Sequence, residues 1–368
     1  MARPEIAGIF LGLLLSVALL EIARDTILFR LEDAALGTET VSIFGTAPEG
    51  RVHCQDARDG HLCEEAYLRD PGPGVLWLGN SQLHAINRYR PGDRLATEIL
   101  HDWFRSCGAY LVAYSQPNAN LLEHAIAFHA LADTYDVRLL ILPVVLDDFR
   151  EQGVRQSVSA LLGDAALPLR GSSFGPFLDE NRDATTDRSD SKEETLQALT
   201  EAWLDREVAT YWPAWAARDQ LRGVASYALY LLRNRIFGIN AQTQRVVAEN
   251  AYREKLAVLE SLLRDARAMG VDVFLYIPPY RADIAGPYHP EQYARLKADA
   301  ARLASEYEAQ FAQLDTVVAG PEWGMVRDSV FGFEDYDFMH FTAEGQRRLA
   351  EALEMALANS DHGCFSTH

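Results

Sequence analysis

The stretch that decides the fold is VLWLGNS, residues 75–81, in which four apolar residues are followed by Gly79-Asn80-Ser81. A short apolar run bounded by turn residues is typical of a strand buried on both faces. Four later apolar runs follow it, and segments in which apolar residues have helical spacing lie between the runs. Those four runs are 110–114 (YLVAY), 137–146 (VRLLILPVVL), 271–277 (VDVFLYI) and 314–318 (LDTVV). The alternation predicts an α/β fold, a three-layer sandwich with helices on both faces of a parallel sheet.

The composition of the chain argues against some classes of function, above all nucleic-acid binding. The chain has 368 residues, 48% of them hydrophobic, which is ample for a large core. Its formal net charge is −19, with a pI near 4.9. Binding to nucleic acid requires clustered Lys and Arg against the phosphates, so this acidity argues against a nucleic-acid partner. The sequence has no Gly-rich phosphate loop and no strong metal-binding motif, so we expect no cofactor and no metal.

The N-terminus predicts a membrane anchor. Residues 6–22 read IAGIFLGLLLSVALLEI, with Arg3 before them. This length lies at the lower end of the range that spans a bilayer, about 17–25 residues. No A-x-A-like cleavage site follows, which favours an uncleaved signal anchor over residues 1–23 rather than a cleaved signal peptide. The preceding positive charge predicts that the rest of the chain faces the periplasm or the cell exterior.

The remaining chain divides by composition. Residues 24–70 are polar and irregular, which predicts a connector between the anchor and the fold. Residues 71–358 carry the strand and helix alternation. It is interrupted at about 151–245 by a segment that we interpret as a helical insertion, and residues 359–368 form a tail.

Two of the four cysteines bracket a short polar loop. Cys54 and Cys63 are nine positions apart, a spacing that suits a local disulfide in an oxidising compartment. Free thiols are a second interpretation. A zinc site that also uses His53 and His61 is a third, although the usual C-x2–4-C spacing is missing.

The candidate chemistry lies at two distant positions. Ser81 follows the first predicted strand, where functional residues of open α/β sheets are found. Asp337 and His340 lie near the C-terminus in the order Asp-x-x-His, about 260 residues later. A serine hydroxyl becomes an effective nucleophile when an oriented base takes its proton, and an Asp that holds a His is the recurring arrangement for this. Together these residues predict an acyl-handling serine enzyme.

At this point the chain resembles the SGNH (GDSL-like) hydrolase superfamily, whose sheet is flavodoxin-like. The resemblance implies a nucleophile at Ser81, a base at His340 and an orienting carboxylate at Asp337. It also implies an oxyanion hole, the set of donors that binds the negative oxygen of the reaction intermediate. Asn118 stands where the family has a glycine, and Asp147 where it has an asparagine; Asn120 is a possible substitute. An ionised carboxylate cannot donate a hydrogen bond, so Asp147 departs from the family pattern.

The anchor and the insertion make the chain similar to one branch of the superfamily, the membrane-tethered proteins that O-acetylate envelope glycans or pass D-alanine to teichoic acid. This resemblance implies acyl transfer, of acetyl in the first instance, from Ser81 to a cell-envelope or secreted glycan. It also implies a multi-spanning membrane O-acyltransferase as partner. Arg281, after the fourth predicted strand, is a candidate for holding an anionic acceptor. The alternatives are a carbohydrate or lipid esterase and a non-catalytic tethered binding subunit.

Overall fold

A computed structural model describes residues 36–162, 218–328 and 330–359. Within these ranges the chain divides into two compact units. The larger unit holds the described parts of residues 39–185, 241–326 and 334–368. The smaller unit holds those of residues 1–38, 186–240 and 327–333. Every candidate site residue belongs to the larger unit.

Twelve strands are formed by the described residues. They are β1 (Thr40–Ser42), β2 (Thr46–Ala47), β3 (Gly50–Arg51), β4 (His53–Cys54), β5 (Gly74–Gly79), β6 (Ala85–Asn87), β7 (Tyr110–Ser115), β8 (Val137–Pro143), β9 (Asp272–Ile277), β10 (Gln310–Gln313), β11 (Trp323–Arg327) and β12 (Glu334–Phe341).

Nine α-helices are formed by the same residues. They are α1 (Gly60–Arg69), α2 (Ser81–His84), α3 (Ala96–Ser106), α4 (Leu121–Leu131), α5 (Gln156–Ser159), α6 (Arg218–Ile236), α7 (Glu249–Met269), α8 (Pro290–Glu306) and α9 (Ala343–Ala358). Short 3-10 turns lie at Leu146–Phe149, Ala160–Leu162 and Gly320–Glu322.

The central sheet has six strands in the order β10-β9-β8-β5-β7-β4. Every neighbouring pair is parallel, which confirms the predicted parallel α/β fold. The chain leaves β5 to form β7 on one side and then returns to form β8 on the other side. The carboxyl end of β5 is therefore the switch point of the sheet, where a crevice opens between diverging connections. Ser81 follows this strand directly.

Alternating side chains of β5 enter two separate cores, because successive residues of a strand point to opposite faces. Leu76 and Leu78 join the core that contains buried residues of α1, α4, α7 and α8. Val75 and Trp77 join the core that contains buried residues of α3 and α9. The sheet is therefore covered by helices on both faces, as the apolar run at 75–78 predicted.

Two element predictions need correction. The stretch 24–70 is not a plain connector, since its described part forms β1–β4 and α1, and β4 extends the central sheet beside β7. These strands have only two or three residues, too few to show an apolar period. The fifth strand runs over Gln310–Gln313 rather than 314–318. It lies at the sheet edge and is only partly buried, so its sequence QFAQ lacks the apolar run of an interior strand.

The predicted anchor over 1–23 and the tail from 360 onward lie outside the described residues, as does most of the predicted insertion. In the parts of the chain that the structure describes, no helix combines the length and apolar character needed to cross a bilayer.

The described part of the smaller unit consists mainly of α6 and the segment that follows β11. The Asp328 carboxylate accepts hydrogen bonds from the backbone N–H groups of Val330, Phe331 and Phe333, at 2.6–2.9 Å. The Arg235 guanidinium lies 5.0 Å from the centre of the Phe333 ring. This unit holds none of the predicted site residues.

Candidate active site

The nucleophile candidate lies at a tight strand-to-helix turn. Asn80 is the N-cap of α2, and its Oδ1 accepts the backbone N–H of Gln82 at 3.1 Å. Ser81 is therefore the first residue of the helix, and the residue is 8% exposed. Gly79 makes the turn possible, because a Cβ there would lie 2.3 Å from Leu83 Cδ1. The local sequence thus holds the Ser81 hydroxyl at the switch point of the sheet.

The structure places Ser81, His340 and Asp337 in one hydrogen-bonded chain. His340 Nε2 lies 2.9 Å from Ser81 Oγ, and His340 Nδ1 lies 2.9 Å from Asp337 Oδ2. The other Asp337 oxygen, Oδ1, accepts the backbone N–H groups of Met339 and His340 at 2.9 and 2.8 Å. Ser81, His340 and Asp337 are all buried. The arrangement has the geometry of a Ser-His-Asp triad.

The charge state of Asp337 sets the tautomer of His340. Burial raises the pKa of Asp337, but the neighbouring His340 and the hydrogen bonds from its ring and from two backbone N–H groups outweigh burial, so the pKa lies below its ordinary 3.8. An ionised carboxylate only accepts hydrogen bonds. His340 Nδ1 therefore carries the hydrogen, which leaves the Nε2 lone pair directed at the Ser81 hydroxyl.

The side chains predicted for the oxyanion hole are engaged elsewhere. Asn120 caps α4, since its Oδ1 accepts the N–H of Leu122 at 2.9 Å and its Nδ2 donates to the Gly153 carbonyl at 2.9 Å. Asn118 is exposed, with a left-handed φ of 51°, and its carbonyl accepts a hydrogen bond from Arg155 at 2.7 Å.

Asp147 is also engaged. Its carboxylate accepts hydrogen bonds from Arg150 at 2.7 Å, Arg245 at 2.6 Å and the Tyr288 hydroxyl at 3.0 Å. It is thus an ion-pair acceptor and not an oxyanion donor. The backbone N–H groups of Ser81 and Asn118 make no hydrogen bond within the described residues. The first N–H groups of a helix lack intrahelical acceptors, so that of Ser81 is free to bind an anion.

Arg281 is not placed to hold an anionic acceptor. Its guanidinium is buried, where it donates to the Gly324 carbonyl at 2.7 Å, to the Asp337 carbonyl at 3.4 Å and to Asp283 at 3.0 Å. Arg281 therefore supports the backbone that carries Asp337. A cation after a strand end can serve either role, and sequence alone does not separate them.

Cys54 and Cys63 are joined by a disulfide, with their Cα atoms 6.2 Å apart. His53, a member of the alternative zinc interpretation, is instead hydrogen-bonded to Thr97 at 3.0 Å and to Ser115 at 2.6 Å. Within the described ranges, no group of three His, Cys, Asp or Glu side chains is placed to hold a metal ion.

A buried histidine network adjoins the triad, and the sequence did not reveal it. Ser115 Oγ bridges His53 Nε2 and His84 Nδ1, at 2.6 and 2.7 Å. Burial, followed by the proximity of His340, lowers the pKa of His84 to about 3. His84 is therefore neutral at physiological pH and adds no positive charge next to His340.

Asp148, the neighbour of Asp147, is the carboxylate that points inward. Its Oδ2 lies 3.8 Å from His124 Nε2, too far for a hydrogen bond, and neither atom has a hydrogen-bond partner among the described residues. Burial raises the pKa of Asp148 to about 6, against the opposing effect of His124. The doublet Asp147-Asp148 thus contains one ion-paired carboxylate and one buried carboxylate.

We expect Asp148→Asn to change the pH dependence of stability. The folded-state pKa of Asp148 is about 6 and its ordinary value is 3.8. Below pH 4 the carboxyl is protonated in both the folded and the unfolded state, so it does not lower the free energy of unfolding. As pH rises from 4 through 6, the unfolded state ionises more easily than the folded state, and the free energy of unfolding falls. About two pKa units correspond to about 3 kcal/mol. Relative to the wild type, the variant should gain up to about that much unfolding free energy between pH 4 and pH 8. Urea unfolding at several pH values measures this, and a pH-independent difference would refute it.

A cleft lies beside the triad. Two of the residues that line it, Gln82 and Met339, are the sequence neighbours of Ser81 and His340. The other lining side chains are apolar or aromatic and come from the carboxyl end of β9 and from the segments that follow β8 and β9. These are Val144, Val145, Leu146, Ile277, Pro278, Pro279, Tyr280, Tyr288 and Tyr293. This lining is mostly apolar and aromatic, which suits an apolar group.

No family model matches the chain, and no curated protein matches it. Solved structures do match. A GDSL-like lipase from Bacteroides thetaiotaomicron has 11% identity and a TM-score of 0.37, over 80% of this chain and 96% of that one. A catalytic mutant of an acetylxylan esterase from Geobacillus stearothermophilus has 11% identity and a TM-score of 0.39, over 79% and 96%.

Proposed function

We propose that this chain transfers an acyl group, acetyl in the first instance, to a hydroxyl of an extracytoplasmic glycan through an acyl-Ser81 intermediate. The observation that carries the proposal is the hydrogen-bonded chain from Ser81 Oγ through His340 to Asp337. In the full proposal the N-terminal segment anchors the protein in the membrane. A multi-spanning membrane O-acyltransferase supplies the acyl group.

The reaction follows from the geometry of the three side chains. His340 Nε2 takes the proton of Ser81 as the serine oxygen attacks the acyl carbonyl of the donor. The ionised Asp337 stabilises the imidazolium that forms. The same imidazolium then protonates the leaving group, which leaves acyl-Ser81. In the second half, His340 deprotonates the acceptor hydroxyl, which attacks the acyl carbon and releases Ser81.

The developing oxyanion would be held by backbone donors. The N–H groups of Ser81 and Asn118 make no hydrogen bond among the described residues, whereas the side chains of Asp147 and Asn120 are occupied elsewhere. Loss of a single oxyanion donor costs roughly 100- to 1,000-fold in rate in serine enzymes. We therefore expect a slower reaction than in a site with an additional side-chain donor.

The cleft lined by Gln82 and Met339 is the candidate place for the acyl group. Its aromatic and apolar lining suits the methyl group of an acetyl ester. If the acyl group is acetyl, the rate with p-nitrophenyl esters should be highest for the acetate.

The second candidate is a carbohydrate or lipid esterase, because the triad is formed entirely by this chain and water can replace the sugar hydroxyl as acceptor. Both reactions pass through the same acyl-Ser81 and differ only in the second half. The third, a non-catalytic tethered binding subunit, becomes the conclusion if no acyl-serine forms.

The deciding experiment uses purified protein, an activated acetyl ester and a panel of oligosaccharide acceptors. Mass spectrometry should detect acetyl on the peptide that contains Ser81, and no acetyl in Ser81→Ala. Acetylated sugar as product supports transfer, and free acetate at an unchanged rate with every acceptor supports the esterase. Absence of both acyl-Ser81 and reaction with a fluorophosphonate probe would overturn both enzymatic functions.

A further inference from the structure

Gln82, the residue after the nucleophile, connects the two halves of the triad. Its side chain is buried, and Nε2 donates to the Pro279 carbonyl at 3.0 Å and to the Met339 carbonyl at 3.1 Å. Pro279 lies after β9, and Met339 immediately precedes His340. One amide group therefore joins the nucleophile turn to two segments that are about 200 and 260 residues away in sequence.

The backbone of the same turn is held from the other side. Gln346 of α9 donates from Nε2 to the carbonyls of Gln82 and Ala85, at 3.0 and 3.1 Å. Its Oε1 accepts the N–H of Ala96 at 3.0 Å, and the side chain is fully buried. The main chain at α2 is thus fixed to α3 and α9, and the Gln82 side chain connects it to β12.

Two hydrogen bonds run in parallel between α2 and β12. One joins Ser81 Oγ to His340 Nε2, and the other joins Gln82 Nε2 to the Met339 carbonyl. Their residues are sequence neighbours on both sides, so a shift of β12 against α2 would stretch both bonds. The Ser81–His340 pair makes one hydrogen bond, whereas the Gln82 amide makes two bonds to backbone carbonyls, which define a position more strictly.

We propose that Gln82 is a positioning residue that holds His340 at hydrogen-bond distance from Ser81. The inference rests on the proposed function, since it concerns the geometry of the same triad. Displacement of a catalytic group by about 1 Å can cost on the order of 100-fold in rate. The amide acts through Met339 and has no contact with the reacting atoms of Ser81.

The test compares Gln82→Met with Gln292→Met in the full chain. Methionine keeps the length of glutamine but cannot donate. Gln292 of α8 also makes two hydrogen bonds to backbone, both with Val247, at 2.9 and 3.0 Å, so it is a matched loss away from the triad. With an activated acetyl ester we expect Gln82→Met to lower kcat about 10- to 100-fold with KM within about twofold. Gln292→Met should keep the wild-type kcat.

A double-mutant cycle separates positioning from a general structural role. In a His340→Ala background, Gln82→Met should leave the residual rate unchanged, because no base remains to be positioned. If the substitution lowers the rate equally in both backgrounds, or if Gln82→Met has the wild-type kcat, the inference is overturned. Should Gln82→Met fail to fold, Gln82→Asn serves the same cycle, since it keeps the amide but is too short to reach both carbonyls.

The two proposals fail in different ways. A wild-type protein that forms no acyl-Ser81 overturns the proposed function and this inference together. An active wild type with no effect of Gln82→Met overturns the inference alone.

Discussion

Replacement of His340 by alanine is expected to lower kcat for an activated acetyl ester by about 10⁴-fold or more, since within the described ranges no other base contacts the Ser81 hydroxyl. The neighbouring histidine cannot substitute, because His84 is hydrogen-bonded to Ser115 and its pKa of about 3 makes it a very weak base. Reaction with a fluorophosphonate probe should slow in parallel.

The control for this variant is His61→Ala, which removes an exposed histidine of α1. It should react as the wild type does. Both variants are compared at equal folded concentration, determined by circular dichroism and thermal unfolding. Loss of less than tenfold in His340→Ala with an intact fold would show that His340 is not the base.

Asp337→Asn is expected to lower kcat about 10³- to 10⁴-fold at neutral pH while the fold is kept. The reason lies in the two oxygens of Asp337. Oδ1 accepts two backbone N–H groups, so the amide oxygen of asparagine takes this place and the NH₂ group faces His340 Nδ1. An NH₂ donor requires Nδ1 to accept, which moves the ring hydrogen to Nε2. The Nε2 atom then cannot take the Ser81 proton.

The matched control is Asp335→Asn, two residues earlier on β12, whose carboxylate accepts the N–H of Ala241 at 2.6 Å and does not contact the triad. It should retain wild-type activity. The wild type should also lose stability in acid relative to Asp337→Asn. The pKa of Asp337 lies below 3.8 in the folded state, so its stabilising contribution is present above pH 4 and is lost as pH falls through the folded-state pKa. Equal activity of Asp337→Asn and the wild type would exclude the orienting role.

Much of the fold was predictable, because the interior strands are buried on both faces. Such strands appear as continuous apolar runs, and the runs at 75–78, 110–114 and 271–277 match β5, β7 and β9 to within a residue or two. The edge strands β4 and β10 were missed or misplaced. A strand of two residues, or one half-exposed at the sheet edge, has no need of such a run.

The doublet Asp147-Asp148 shows where residue-level prediction stopped. The two carboxylates have the same chemistry and adjacent positions on a 3-10 turn, yet Asp147 meets Arg245 and Tyr288 while Asp148 is buried near His124. Their directions depend on His124 of α4, on Arg245 before α7 and on Tyr288 before α8, none of which is near in sequence. Similarly, a glutamine after a serine carries no signal of a bond to a carbonyl 257 residues away.

The sequence by itself determined the parallel α/β class and the relation of Asp337 to His340, because strand burial and a separation of three residues are local properties. Only the tertiary structure decided that β5 lies at the switch point, that Ser81 meets His340, and that Asn120, Asp147 and Arg281 have other partners. Those outcomes depend on strand order and on side chains that compete for the same donors. Such competition is settled by packing between distant segments and leaves no pattern along the chain.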